Sequence, residues 1–324
     1  MTSEQQQEAV HPQPPAQATE RESVVRVRGL QMTYGQKEVL TGVDLDVHAG
    51  EVVCLLGPNG AGKTTTIEIL EGFRLPSGGE VRVLGEVPAE AGDAWRARVG
   101  VVLQSWRDHA RWTPRRLLTQ LGGYFEPYST TTHPRPYDVD WLLDTVGLVD
   151  NADRKIGTLS GGQRRRLDVA VGIIGRPELL FLDEPTAGFD PQARRDFHDL
   201  VHRLSDLEGT TILLTTHDLG EAERLADRIL ILTNGHIVAD GRADELTREV
   251  AGTAEVRWSR AGERFVHATN EVTPFVRSLF EQYGDEVDDL EVRRASLEDT
   301  YIAMVQRFES GDRAATPTLT EVSG

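Results

Sequence analysis

An α/β protein built on a parallel-rich sheet is the fold that the sequence predicts, and three observations predict it. Short apolar runs ("VVCLL", "ELLFLDE", "TTILLTT", "RILILT") alternate with longer amphipathic ones, as parallel strands joined by crossover helices require. One of these runs leads into the glycine-rich loop "GPNGAGKTTT", which opens directly into a helix. Another ends in two adjacent acids, Asp183 and Glu184, just before a proline.

The elements follow in order. Residues 1–22, rich in Gln, Pro, Glu and Ala, have almost nothing to bury and predict a disordered tail. "VVRVRGLQMTYG" alternates apolar and charged residues as a half-buried strand does. "VLTGVDLDVHAGEVVCLLG" gives two more strands split by the turn "HAG", and "KTTTIEILEGF" is the helix after the glycine loop. A Pro-Ser-Gly-Gly turn and the strand "EVRVLG" come next. From about 105 to 176 the pattern turns helical, in "TPRRLLTQLGGYF", "VDWLLDTVGL" and "GQRRRLDVAVGIIG", with "EPYSTTTHPRPYD" read as a polar loop. Helices "PQARRDFHDLVHRLSDL" and "LGEAERLAD" separate the remaining core strands. A smaller α+β unit is expected over 242–309, from "AEVRWSR" to the helix "SLEDTYIAMVQRF", and a flexible tail over 310–324.

Composition bounds the function. A hydrophobic share of 39% with 27% charged residues is that of a soluble globular chain. A net charge of −17 disfavours a nucleic-acid-binding surface, which needs a basic patch. The single cysteine, Cys54, leaves no internal disulfide or cysteine-based zinc site and is expected in the core. No apolar run reaches the ~18 residues of a membrane span, and the first residues carry no secretory pattern. A cytosolic protein that meets any membrane through a partner is expected.

"GPNGAGKT" fits G-x-x-x-x-G-K-[ST] at Gly57, Gly62, Lys63 and Thr64, between a strand and a helix as this phosphate cradle requires. Backbone N–H groups close around a β-phosphate, Lys63 reaches the β/γ oxygens, and the Thr64 hydroxyl can ligate Mg²⁺. Asp183 at the end of "LLFLD" can hold the Mg²⁺ shell, and Glu184 beside it can polarise a water. His217, after "LLTT", emerges at the same sheet edge and can reach a γ-phosphate. Gln104 has the same placement after "VGVVL", either as an ordinary surface amide or as a group reaching Mg²⁺ or the water. Tyr34 either stacks on adenine or packs in the core. His198 and His202 have metal spacing on a helix but no third ligand, so a solvated face is expected. The Ser-Gly-Gly turn of "LSGGQRRR" is a second anion cradle at a helix start. Arg164, Arg165 and Arg166 oppose the helix dipole there; they either face an incoming anion or splay into solvent.

Over residues 24–240 this pattern is similar to the ATP-binding cassette, the nucleotide-binding subunit of ABC transporters. Tyr34 matches the A-loop aromatic, "GPNGAGKTT" the Walker A loop, Gln104 the Q-loop and "LSGGQ" the ABC signature. "LLFLDE" matches Walker B with its catalytic glutamate, "AGFD" with Asp190 the D-loop, and His217 the switch histidine. The resemblance implies a P-loop NTPase cassette over 23–241, with a parallel-rich core sheet, antiparallel strands and a helical subdomain at about 105–176. It implies ATP and Mg²⁺ as cofactors, with Tyr34, Gly57, Pro58, Asn59, Gly60, Ala61, Gly62, Lys63, Thr64 and Thr65 on the nucleotide. Thr64, Gln104 and Asp183 would hold the metal, and Glu184, His217 and Gln104 would serve catalysis. Two cassettes would pair head to tail, so that Leu159, Ser160, Gly161, Gly162 and Gln163 serve the partner's ATP. "ASLEDTYIAMV" at 295–305 is similar to a segment of ABC-2 drug- and polysaccharide-exporter ATPases. The implied partners are an ABC-2 type membrane permease and a second copy of the chain, at the cytoplasmic face of the membrane, with no nucleic acid. An importer ATPase and a soluble non-transport ABC protein are the alternatives. Phe189 in the D-loop stands where leucine is commoner. The loop "SWRDHARWTPRR" either meets a particular partner or packs locally.

Overall fold

The computed structural model describes residues 23–102, 109–186, 189–250, 254–260, 263–293 and 297–309. β1 (Ser23–Tyr34) and β2 (Lys37–His48) pair as an antiparallel hairpin, with the alternating burial of a sheet covered on one face. β3 (Val52–Leu56), buried throughout, leads through the glycine loop into α1 (Lys63–Leu70). β4 (Gly78–Val83) returns to pair with β1, and the short α2 (Asp93–Arg96) precedes β5 (Val99–Val102). α3 (Pro114–Gly122), α4 (Val139–Thr145) and α5 (Gly161–Ile173) follow, each started by a side-chain cap, from Thr113, Asp138 and Ser160 respectively. β6 (Leu179–Asp183), α6 (Pro191–Glu208), β7 (Thr211–Thr216), α7 (Leu219–Leu225) and β8 (Arg228–Thr233) continue the alternation. β9 (His236–Gly241) folds back on β8 through Asn234-Gly235, both at positive φ as a tight hairpin turn requires.

The central sheet runs β5-β6-β7-β3-β8-β9, parallel except for β9, and β2-β1-β4 form a separate antiparallel sheet. Both the parallel core and the antiparallel strands expected from the sequence are present. Because the central strands are covered on both faces, their apolar runs are continuous, and alternate residues enter two different cores. Cys54, Leu56, Leu180, Leu182, Ile212 and Leu214 face the layer of α3–α7. Val53, Leu55, Leu179, Phe181 and Leu213 face α1 and the antiparallel sheet. A fully buried Leu or Phe stabilises by roughly 1.5–3 kcal/mol, so the face each residue takes is strongly specified.

Beyond β9 lie α8 (Ala243–Val250), β10 (Ala254–Arg260), β11 (Glu263–Thr269), α9 (Val272–Tyr283), β12 (Asp288–Arg293) and α10 (Leu297–Glu309). Their strands form a third sheet, β11-β10-β12. Leu246 of α8 and Leu297 of α10 belong to the same core as Leu225 of α7, so the first and last helices of this segment pack on the main body.

Candidate active site

The loop after β3 is shaped by backbone conformations that a side chain resists. Gly60 and Gly62 have φ of 83° and 109°. At Gly57 the constraint is space, since a Cβ would stand 2.3 Å from the Leu232 carbonyl oxygen. Gly62 caps α1 with no side-chain hydrogen bond, so no capping side chain takes the N–H groups of the first turn. That leaves them for an anion. Pro58, Asn59 and Gly60 are exposed at the tip, Ala61 is buried and Thr65 half-buried.

Five side chains converge beside this loop. The Lys63 ammonium, only 5% exposed, donates to the Gly57 and Pro58 carbonyls at 2.8 and 3.2 Å. It also stands 3.4 Å from Glu184 Oε1. The same carboxylate oxygen is 3.4 Å from His217 Nδ1. Thr64 Oγ1 donates to Asp183 Oδ2 at 3.1 Å, joining two hard oxygen donors at one point. Among the described residues no group of three acidic, histidine or cysteine side chains could hold a metal by itself. A two-oxygen site of this kind suits Mg²⁺, which keeps several waters and takes its other ligands from phosphate.

Three features here were not read from the sequence. Thr215 Oγ1 donates to Asp183 Oδ1 at 2.6 Å and accepts the Glu184 N–H at 3.0 Å, so it braces both acids. The available signal was a threonine in a wholly buried strand, which must find polar partners. Glu184 itself has a φ of 42°, a backbone region that a non-glycine residue rarely holds without surrounding support. Arg74 lies over the Tyr34 ring, 5.1 Å from its centroid, and pairs with Glu68 at 2.7 Å. Tyr34 is 40% exposed, which settles its position on the surface rather than in the core.

The signature residues are placed apart from this cluster. Ser160 and Gln163 form a reciprocal capping box at the start of α5, with Gln163 N–H to Ser160 Oγ at 3.3 Å and Ser160 N–H to Gln163 Oε1 at 3.0 Å. Leu159 packs against the helical core, Gly161 is open to solvent, and a Cβ on Gly162 would meet Ala193 of α6 at 3.6 Å. Asp190 caps α6, accepting from the Gln192 and Ala193 N–H groups at 2.9 Å. Phe189 packs edge-on to Phe197, with centroids 6.0 Å apart. Gln104 lies outside the described residues.

Two expectations are corrected. The three arginines after LSGGQ do not splay into solvent. Arg165 is buried and donates from Nε to the Pro185 carbonyl at 2.9 Å, Arg164 pairs with Asp168 at 3.3 Å, and Arg166 approaches Asp196 at 3.9 Å. Each finds its partner within the chain: Arg164 one turn on along α5, Arg165 on the segment after β6, and Arg166 on α6. His198 is buried at 7% exposure rather than solvated, and burial lowers its pKa, whereas His202 is exposed as expected and contacts the Arg224 carbonyl at 3.1 Å. The amphipathic face of α6 is wider than the sequence spacing suggested. In the loop before α3, the described part packs locally, with His109 edge-on to Trp112 and Arg116 over the Trp112 ring.

A glycine loop after the central strand, an acid pair at the end of the strand two places away and a buried loop lysine between them define a P-loop nucleoside triphosphatase. The comparisons with known proteins narrow the class. The chain matches the family model described as ABC transporter over residues 40–187. It is 42% identical over 229 residues to the daunorubicin/doxorubicin resistance ATP-binding protein DrrA of Streptomyces peucetius, covering 70% of this chain and 68% of that one. A Nod factor export ATP-binding protein I from Cupriavidus pinatubonensis is 36% identical over 306 residues, covering 88% and 91%, so that likeness runs into the segment beyond β9. Among solved structures, the ADP conformation of MJ1267, an ATP-binding cassette of an ABC transporter, is similar with a TM-score of 0.59 at 26% identity, covering 69% of this chain and 92% of that one. The chain belongs to the ABC transporter family, as a nucleotide-binding ATPase cassette.

Proposed function

We propose that this cassette is the ATP-hydrolysing subunit of an ABC-2 type exporter, working as a head-to-tail homodimer beneath a separate membrane permease. One observation carries the dimer: the chain holds two anion cradles, and the Ser160–Gly162 turn bonds no residue of its own glycine loop. A second copy can bring the two together, and both halves are complete in one sequence, so a symmetric pair suffices. Export follows the relatives named for daunorubicin resistance and Nod factor export. No described helix is long and apolar enough to cross a membrane; by resemblance to transporter ATPases, the permease holds the cassette at the cytoplasmic face. The cassette is assigned to 23–241, its helical subdomain to about 105–176, and an accessory unit to 242–309.

In this reading Gly57–Thr65 wrap the phosphates of ATP, and Tyr34 stacks on the adenine. Lys63 exchanges its contacts with the loop carbonyls for the β/γ oxygens. Thr64 and Asp183, with Gln104 by resemblance, would hold Mg²⁺, which would supply charge neutralisation at the phosphates. Glu184 accepts the proton of the attacking water, and His217, sharing that carboxylate, orients the γ-phosphate. Leu159–Gln163 of the partner close over the same phosphate, with Asp190 at the dimer seam. Positioning and electrostatics carry the catalysis.

Glu184→Gln tests the hydrolytic assignment: turnover falls by about 10²–10⁴ while ATP affinity is kept. Wild-type turnover in that variant removes the general base. Recovery of the chain from membranes in mild detergent tests the partner. Co-purification of a polytopic membrane protein is expected, and ribosomal or DNA-repair proteins in its place overturn the transport reading.

A further inference from the structure

Glu221, on α7, is a buried acid that the hydrolytic scheme does not use. It is 2% exposed, and both carboxylate oxygens are engaged by hydroxyl donors. Oε1 accepts from Thr186 at 2.7 Å and Oε2 from Thr216 at 2.5 Å, both threonines themselves buried. Thr186 lies two residues past Glu184, and Thr216 immediately precedes His217. One carboxylate therefore bridges the exits of two neighbouring strands, β6 and β7, at the points where they release the acid and the histidine.

The bridge is tied to further parts of the site. Thr216 Oγ1 accepts the Asp218 N–H at 3.0 Å, and the Thr216 carbonyl accepts the Gly57 N–H of the glycine loop at 3.3 Å. The segment after Glu184 is gripped from a second side by Arg165 on the Pro185 carbonyl. These contacts, with Thr215 on the Glu184 N–H, surround a residue whose φ of 42° is costly to hold. A buried carboxylate is itself costly, and an apolar side chain would fill the space more cheaply. What an apolar residue could not supply is the double tie.

We infer that Glu221 is a positioning residue for ATP hydrolysis: by bridging Thr186 and Thr216 it holds the exits of β6 and β7 at one separation, and so keeps Glu184 and His217 in register on the γ-phosphate. The inference rests on the roles proposed for those two residues. Glu221 does not touch the reacting atoms, so its loss weakens turnover and leaves nucleotide binding in place.

The test uses the full-length protein and MgATP. Glu221→Gln keeps the volume but offers one acceptor oxygen in place of two, and Thr186→Val removes one tie from the other side. Each is expected to lower kcat about tenfold or more while KM and the affinity for a fluorescent ATP analogue stay within about twofold, since small misplacements cost rate rather than binding. The double variant is expected to be no slower than about twofold below the slower single one, because both changes break the same bridge. Two outcomes overturn the inference: kcat within about twofold of wild type in both single variants, or loss of ATP affinity in step with kcat. Glu184→Gln, measured in parallel, separates the two levels. Undiminished turnover there removes the general base, whereas undiminished turnover confined to the Glu221 and Thr186 variants removes only the bridge.

Discussion

Glu71 caps the C-terminal end of α1, where the helix dipole is negative, and it is half-buried. Burial first, then the charges of Asp183 and Glu68, push its carboxyl up from 4.5 to about 8. Below the unfolded value the group is protonated in folded and unfolded chains alike, and its full contribution to stability is present. As pH rises above 4.5 the unfolded chain ionises first, so stability falls until the folded state ionises near 8. At about 1.36 kcal/mol per unit the whole span corresponds to a ceiling of about 5 kcal/mol. Solvent screening of a partly exposed carboxyl brings the expected loss to about 2–3 kcal/mol. The assay is urea unfolding of wild type and Glu71→Gln, in EDTA and without nucleotide, from about pH 5 to pH 8.5. The two proteins should lie within about 1 kcal/mol of each other at the acid end, and the glutamine variant should be about 2–3 kcal/mol more stable at the alkaline end. Parallel pH profiles would refute the argument.

Other perturbations test separate parts of the structure. Gly57→Ala sets a methyl group 2.3 Å from the Leu232 carbonyl; it should cost about 1–3 kcal/mol in denaturant unfolding and abolish nucleotide binding. Ser160→Ala removes the α5 cap, for about 1 kcal/mol of stability; turnover should also fall at least about tenfold, and wild-type turnover would remove the anion-cradle role of the signature. Arg135 is buried, donating from Nε to the Ala97 and Gly175 carbonyls and from Nη2 to Glu178. Arg135→Ala should cost about 2–3 kcal/mol, and Arg135→Lys should recover only part of it, because an ammonium cannot reproduce the fork.

Pattern reading succeeded where one residue type answers one local need. Continuous apolar runs marked strands covered on both faces, because alternate residues serve two cores. The glycine loop was legible because its backbone angles and the Gly57 contact admit no side chain. Its lysine and threonine were legible because they follow that loop directly, and Asp183 and Glu184 because a buried strand ends in them. Arg135 escaped this reading: within "EPYSTTTHPRPYD" it looks like a loop arginine, and only the approach of Ala97, Gly175 and Glu178 buries it.

Local sequence thus determined the strands, the helices, their caps and the glycine loop, since each rests on spacing within a few residues. Tertiary structure alone decided which side chains meet. The ties from Thr215 to Asp183, Arg165 to Pro185 and Glu221 to Thr186 join residues 20 to 35 positions apart. A hydrogen bond is directional and short, so such partners exist only after the sheet order and helix packing have brought them within reach.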